Sequence, residues 1–111
     1  MIYDVVIIGA GLAGMTAALK AIEMGKKTIV VSHGASTMQV MSGCIDLYGD
    51  DRNPWPALEE LVSQNPAHPY ALLSQEEIQE ALSFFIERMK ESCPYHNQEG
   101  FTNFRIPTAF G

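Results

Sequence analysis

Gly9, Gly11 and Gly14 stand at the spacing G-x-G-x-x-G, and they form the constellation in this chain whose residue types and separation could do chemistry. At this spacing each glycine has a separate task. The first permits a tight turn, the second lets a ligand phosphate approach the backbone, and the third lets a helix pack closely on a strand. Leu12 and Ala13 fill the positions between, where the first amides of a helix would point at the ligand. Free amides and the partial positive charge of a helix N-terminus hold an anion without any basic side chain. The chemistry expected is the capture of a pyrophosphate, and hence of a dinucleotide or flavin.

Such a motif is informative only between the right elements. Tyr3 to Ile8 reads YDVVII, an apolar and β-branched run that suits a strand buried on both faces, as in a parallel sheet. Leu12 to Met24 is rich in helix formers, with Met15, Ala18, Leu19 and Ile22 along one face. Gly25 stands where a helix stops, and Thr28 to Val31 is a second β-branched run. Strand, glycine turn, helix and strand together make one βαβ unit over residues 1–33. The acidic residue that such a unit carries at the end of its second strand, to bind a ribose 2′-hydroxyl, is missing. Ser32 occupies that position and His33 follows it. A serine offers a single hydroxyl in place of a charged two-oxygen clamp, so both residues are candidate ligand contacts.

The remainder, residues 34–111, reads as a loop and a helical extension of the same N-terminal part. Ser32 to Gly49 has no clear period, and Asp50 to Pro56 reads as a break with turn signals at Asn53-Pro54 and Trp55-Pro56. Ala57 to Gln64 predicts a short helix burying Leu58, Leu61 and Val62. Asn65 to Pro69 breaks the chain again. Ser74 and Glu77 match the S-x-x-E capping box before a helix whose apolar face is Ile78, Ala81, Leu82, Phe85 and Met89. Pro94 ends it, and Phe101 to Gly111 is a mixed segment.

Composition narrows the function. Seven basic and thirteen acidic residues leave a net charge of −6, which disfavours nucleic acid as a partner. It also requires that an anion be held by local dipoles. No apolar run is long enough to span a bilayer, and Met1 to Ile8 is too short and lacks the basic start of a signal peptide. Cys44 and Cys93 form no CxxC pair and read as reduced thiols. His33, His68 and His96 lie too far apart for a metal site. Glu76, Glu77 and Glu80 read as a helix start and a solvated face.

From Tyr3 to Gly14 the chain resembles the two-dinucleotide-binding flavoproteins. Met41-Ser42-Gly43-Cys44-Ile45-Asp46-Leu47, Asn65-Pro66-Ala67-His68-Pro69-Tyr70 and Ile106-Pro107-Thr108-Ala109 narrow this. They resemble the B subunit of anaerobic glycerol-3-phosphate dehydrogenase. The resemblance implies a flavin, FMN in the first place and FAD as the alternative. It implies a cytoplasmic protein, membrane-associated through partners: an FAD-bearing catalytic subunit and an iron–sulfur subunit. Together these oxidise glycerol 3-phosphate to dihydroxyacetone phosphate and send electrons towards quinone. It also places Ser42 and Gly43 near the flavin, beside a phosphate site at Gly9, Gly11 and Gly14. Members of that family are several times longer than this chain. The expectation is therefore an N-terminal fragment, inactive alone, whose exposed sheet edges favour homo-oligomers.

The fold class expected is α/β: a Rossmann-type βαβ start with a parallel sheet nucleus and added helices, an incomplete domain. Two other readings stay open on sequence. One is an FAD- or NAD-dependent oxidoreductase of another substrate class, and the other is a non-catalytic electron-relay or assembly subunit.

Overall fold

The computed structural model describes residues 1–49 and 52–107. The start of the expected break, Asp50 and Asp51, and the end of the chain, including Thr108 and Ala109 of the third resemblance segment, fall outside the described residues. The chain forms two compact units, Met1–Cys44 and Ile45–Gly111.

The first unit is a βαβ crossover. Strand β1 spans Val5–Ile8, helix α1 spans Leu12–Glu23 and strand β2 spans Thr28–Val31. The strands pair in parallel, with Val5 opposite Thr28 and Ile8 opposite Val31. A parallel pair needs a crossover between its strands, and α1 supplies it. The pairing is pinned at both ends. Where the strands begin, the Asp4 amide donates to the Lys27 carbonyl at 2.9 Å, while the Asp4 carboxylate accepts the Lys27 amide at 2.8 Å. Where they finish, the Gly9 amide donates to the Val31 carbonyl at 2.8 Å. Helix α1 ends in a Schellman arrangement around Gly25, whose φ is +73°. The Lys26 amide bonds the Ala21 carbonyl, and the Gly25 amide bonds that of Ile22.

Strand β1 departs from its expected two-sided burial and is covered on one face only. Val5 and Ile7 are half-buried beneath α1, whereas Val6 is 60% exposed and Ile8 is 89% exposed. Val31 is likewise 50% exposed. An apolar run with no polar alternation suits burial on both sides, but a single crossover helix can cover only one side of a sheet. The apolar face of α1 is similarly half used. Ala18 is buried, while Met15, Leu19 and Ile22 remain exposed, because two strands are narrower than that face.

The second unit is helical. Helix α2 spans Trp55–Gln64 and helix α3 spans Gln75–Met89. Pro54 and Pro56 bracket Trp55, which reads as a turn in sequence but is the first residue of α2. Proline is tolerated in a first turn, where its missing amide has no intrahelical partner anyway. The capping box forms as expected: the Glu77 amide donates to Ser74 Oγ at 3.2 Å, and the Ser74 amide donates to Glu77 Oε2 at 2.7 Å. Leu47, Leu58 and Ile78 make the core, with Trp55, Tyr70, Leu82 and Phe101 packed around it. Phe85 is buried and meets the Tyr95 ring edge-on at 5.1 Å. Ala81, expected on the buried face of α3, is exposed. A short 3₁₀ turn over Pro69–Leu72 joins the two helices and is capped by His68, whose Nδ1 accepts the Tyr70 amide at 3.2 Å. The chain after α3 is tied back by side chains. Asn103 grips the backbone of Leu47 with both ends of its amide, at 3.1 and 2.8 Å. Trp55 Nε1 donates to the Gly100 carbonyl at 2.9 Å.

Candidate functional site

The chain leaves the carboxyl end of β1 through Gly9, whose φ of +105° lies in a region that side-chain-bearing residues rarely enter. Two residues later Gly11 caps α1 with extended backbone, φ −75° and ψ −179°. No side chain caps the helix, and its first turn carries no acidic residue. By helix geometry the amides of Leu12, Ala13 and Gly14 have no acceptor within the helix. They form the positive end of a dipole at the exit of the strand pair.

The three glycines differ in what the fold demands of them. A Cβ on Gly14 would collide with the Gly9 carbonyl oxygen, and it would lie 3.1 Å from the Gly9 carbonyl carbon and 3.4 Å from Ile7 Cγ2. Gly14 therefore sets how closely α1 can approach β1. Gly9 is required by its backbone angle. Gly11 is required by neither: its φ is ordinary, and nothing lies within 4 Å of where its Cβ would stand. The fold needs no glycine at this point, and the space where a side chain would stand is open beside the free amides. The residues present thus fit a ligand phosphate at Gly11.

Ser32 and His33 follow directly on Val31, at the same end of the strand pair as the glycine turn, and both are exposed. Ser42 and Gly43 lie further along the same unit, in irregular chain. Gly43 has φ +81° and Ser42 Oγ accepts the Cys44 amide at 3.2 Å, so a local turn accounts for both residues without a ligand. The structure therefore gathers Gly9, Gly11, Leu12, Ala13 and Gly14 in one turn, sets Ser32 and His33 at the same end of the sheet, and gives Ser42 and Gly43 a turn of their own. The sequence reading missed Asp4. An acidic residue immediately before a strand is its only signal, and the residue's partner, the Lys27 amide, becomes visible only once the strands pair.

Charge is divided between the units. The first holds three lysines against Asp4 and Glu23, a net +1; the second holds four basic residues against eleven acidic ones, a net −7. The acidity of the chain therefore belongs to the helical unit, and the unit with the glycine turn carries little net charge of its own. Among the described residues no group of His, Cys, Asp and Glu is arranged to hold a metal, and no helix is long and apolar enough to cross a membrane.

Crossover, glycine turn and open Gly11 define a nucleotide-binding module of the flavoprotein type, and the chain belongs to the FAD binding domain family, whose model matches residues 4–111. It is similar to proteins named as the B subunit of anaerobic glycerol-3-phosphate dehydrogenase. The relative from Vibrio vulnificus strain YJ016 is 36% identical over 98% of this chain and 26% of its own length. That from Vibrio cholerae El Tor Inaba N16961 is 34% identical over 96% of this chain and 26% of its own. The Aliivibrio fischeri ES114 protein is 36% identical over 96% of this chain and 25% of its own. The chain thus spans about a quarter of the length of the curated relatives it matches. No solved structure matches it. The family is described by FAD, which gives no support to FMN as the first choice. The physical reason favours FAD as well: the crossover is suited to a pyrophosphate, which FAD has and FMN, a monophosphate, lacks.

Proposed function

We propose that the first unit binds the pyrophosphate of FAD and that the protein works as the B subunit of an anaerobic glycerol-3-phosphate dehydrogenase. The observation that carries the binding site is the contrast between Gly14, which the fold requires, and Gly11, which it does not. Gly9 turns the chain, Gly14 brings α1 down onto β1, and the amides of Leu12, Ala13 and Gly14 then face the phosphates across the space left by Gly11. Ser32 and His33 lie towards the adenosine ribose. Ser42 and Gly43 are assigned to the flavin on family likeness alone.

A flavin held here would supply redox chemistry, cycling between its oxidised and reduced forms. The residues of this chain bind and orient. The names of the relatives support glycerol 3-phosphate as the substrate; dihydroxyacetone phosphate as the product and quinone as the final acceptor are proposed on the family resemblance of the segments at 41–47 and 65–70. A catalytic FAD-bearing subunit and an iron–sulfur subunit are the partners proposed. Attachment of the cytoplasmic assembly to the membrane is assigned to them.

The test is to purify the intact protein, release its non-covalent cofactor and identify it by absorbance and mass. FAD is expected. FMN alone, or a colourless protein that FAD cannot reconstitute, would overturn the binding assignment. The activity is tested separately, by reduction of the assembled subunits with glycerol 3-phosphate. An assembly that retains flavin yet stays oxidised would defeat the substrate assignment.

A further inference from the structure

Within the first unit, the chain that follows β2 brings no carboxylate to the rim of the site. Among residues 5–44 Glu23 is the sole acidic side chain, and it closes α1 at the end away from the glycine turn. The helix between them is twelve residues, about 18 Å at 1.5 Å per residue. Asp4 stands before β1, at the opposite end of the strands, and its carboxylate is engaged by the Lys27 amide. At the exit edge itself, the bond from the Gly9 amide to the Val31 carbonyl fixes the last paired residue beside the glycine turn, and Ser32 and His33 follow exposed.

In a dinucleotide site a carboxylate here does two things. It accepts hydrogen bonds from the ribose hydroxyls, and its charge repels a phosphate carried at the 2′ position. Ser32 can do the first with one hydroxyl, which both donates and accepts, and cannot do the second. His33 adds a ring nitrogen donor, and the unit as a whole is net +1. We infer that Ser32 and His33 form a ribose rim without a carboxylate, which accepts an adenosine 2′-phosphate about as well as a free 2′-hydroxyl. This rests on the FAD reading and adds to it a specificity that a site with an acidic rim lacks.

The probes are ADP-ribose and its 2′-phosphorylated form, titrated by calorimetry into the flavin-stripped intact protein. Their Kd values should agree within about threefold, since neither Ser32 nor His33 is a carboxylate that would repel the 2′-phosphate. Ser32→Glu should separate them by about tenfold or more, by adding a charge a few ångströms from the 2′ position. Ser32→Gln, of similar size but neutral, should leave the ratio where it was. A natural protein that already rejects the 2′-phosphorylated probe by tenfold overturns the inference whether or not the Ser32→Glu variant folds, and so does a Ser32→Glu variant with an unchanged ratio. If FAD rebinds while neither probe does, the adenosine is held elsewhere; the inference falls and the flavin site stands. If FAD itself fails to rebind, the flavin reading falls and takes the rim with it.

Discussion

Gly11 and Gly14 are the same residue three positions apart, and their substitution by alanine separates folding from binding. Gly14→Ala forces a methyl group against the Gly9 carbonyl, which can only move by breaking the bond from the Gly9 amide to Val31 or by lifting α1 from β1. Overpacking of this kind costs about 1–3 kcal/mol, and with backbone as the obstacle the upper end is expected. A drop in the urea midpoint with an unchanged slope would show it. Gly11→Ala meets no atom and no forbidden angle, so stability should change by less than about 1 kcal/mol. Its methyl group instead enters the space assigned to the phosphate, and flavin binding should weaken by about tenfold or more. Equal stability losses in the two variants would contradict the distinct roles assigned here.

The elements owe their boundaries to local chemistry and their orientation to a few longer bonds. The capping box at α3 is local, so Ser74→Ala should cost about 1 kcal/mol and lower the melting temperature modestly. Leu58 belongs to the core of the helical unit, and Leu58→Ala should cost about 2–5 kcal/mol by leaving a cavity among Leu47, Ile78 and Trp55. Both are readable by thermal melting followed by circular dichroism, and the second should exceed the first. The β1–α1–β2 order, the capping box and the Gly25 stop were legible because each is set by neighbours within a few residues. The 3₁₀ turn at Pro69–Leu72 was not, since its His68 cap mimics no common signal. Asn103 was equally silent: its partner Leu47 lies 56 residues away along the chain.

For the whole molecule the consequence is an uneven surface. The sheet of the first unit keeps one apolar face open, and Ile8 is 89% exposed. Ile8→Thr in the 111-residue chain should therefore change stability by no more than about 0.5 kcal/mol, although the residue belongs to an apolar run. A loss several times larger in chemical unfolding would show that this face is covered. The division of charge, +1 on one unit and −7 on the other, also changes how the composition is understood. The net charge of the chain describes the helical unit, whereas the unit with the glycine turn is close to neutral by itself.

The crossover and the motif it carries were written in the order of the residues, because a strand, a glycine turn and a helix are specified by neighbours a few positions apart. So was the serine at position 32, an identity that no folding can alter. Which glycine the fold requires and which it does not emerged only in three dimensions, since that depends on where the Gly9 carbonyl sits relative to α1. The open face of the sheet emerged there too. Apolar residues record a tendency to be buried, while burial itself depends on whether another element is there to cover them.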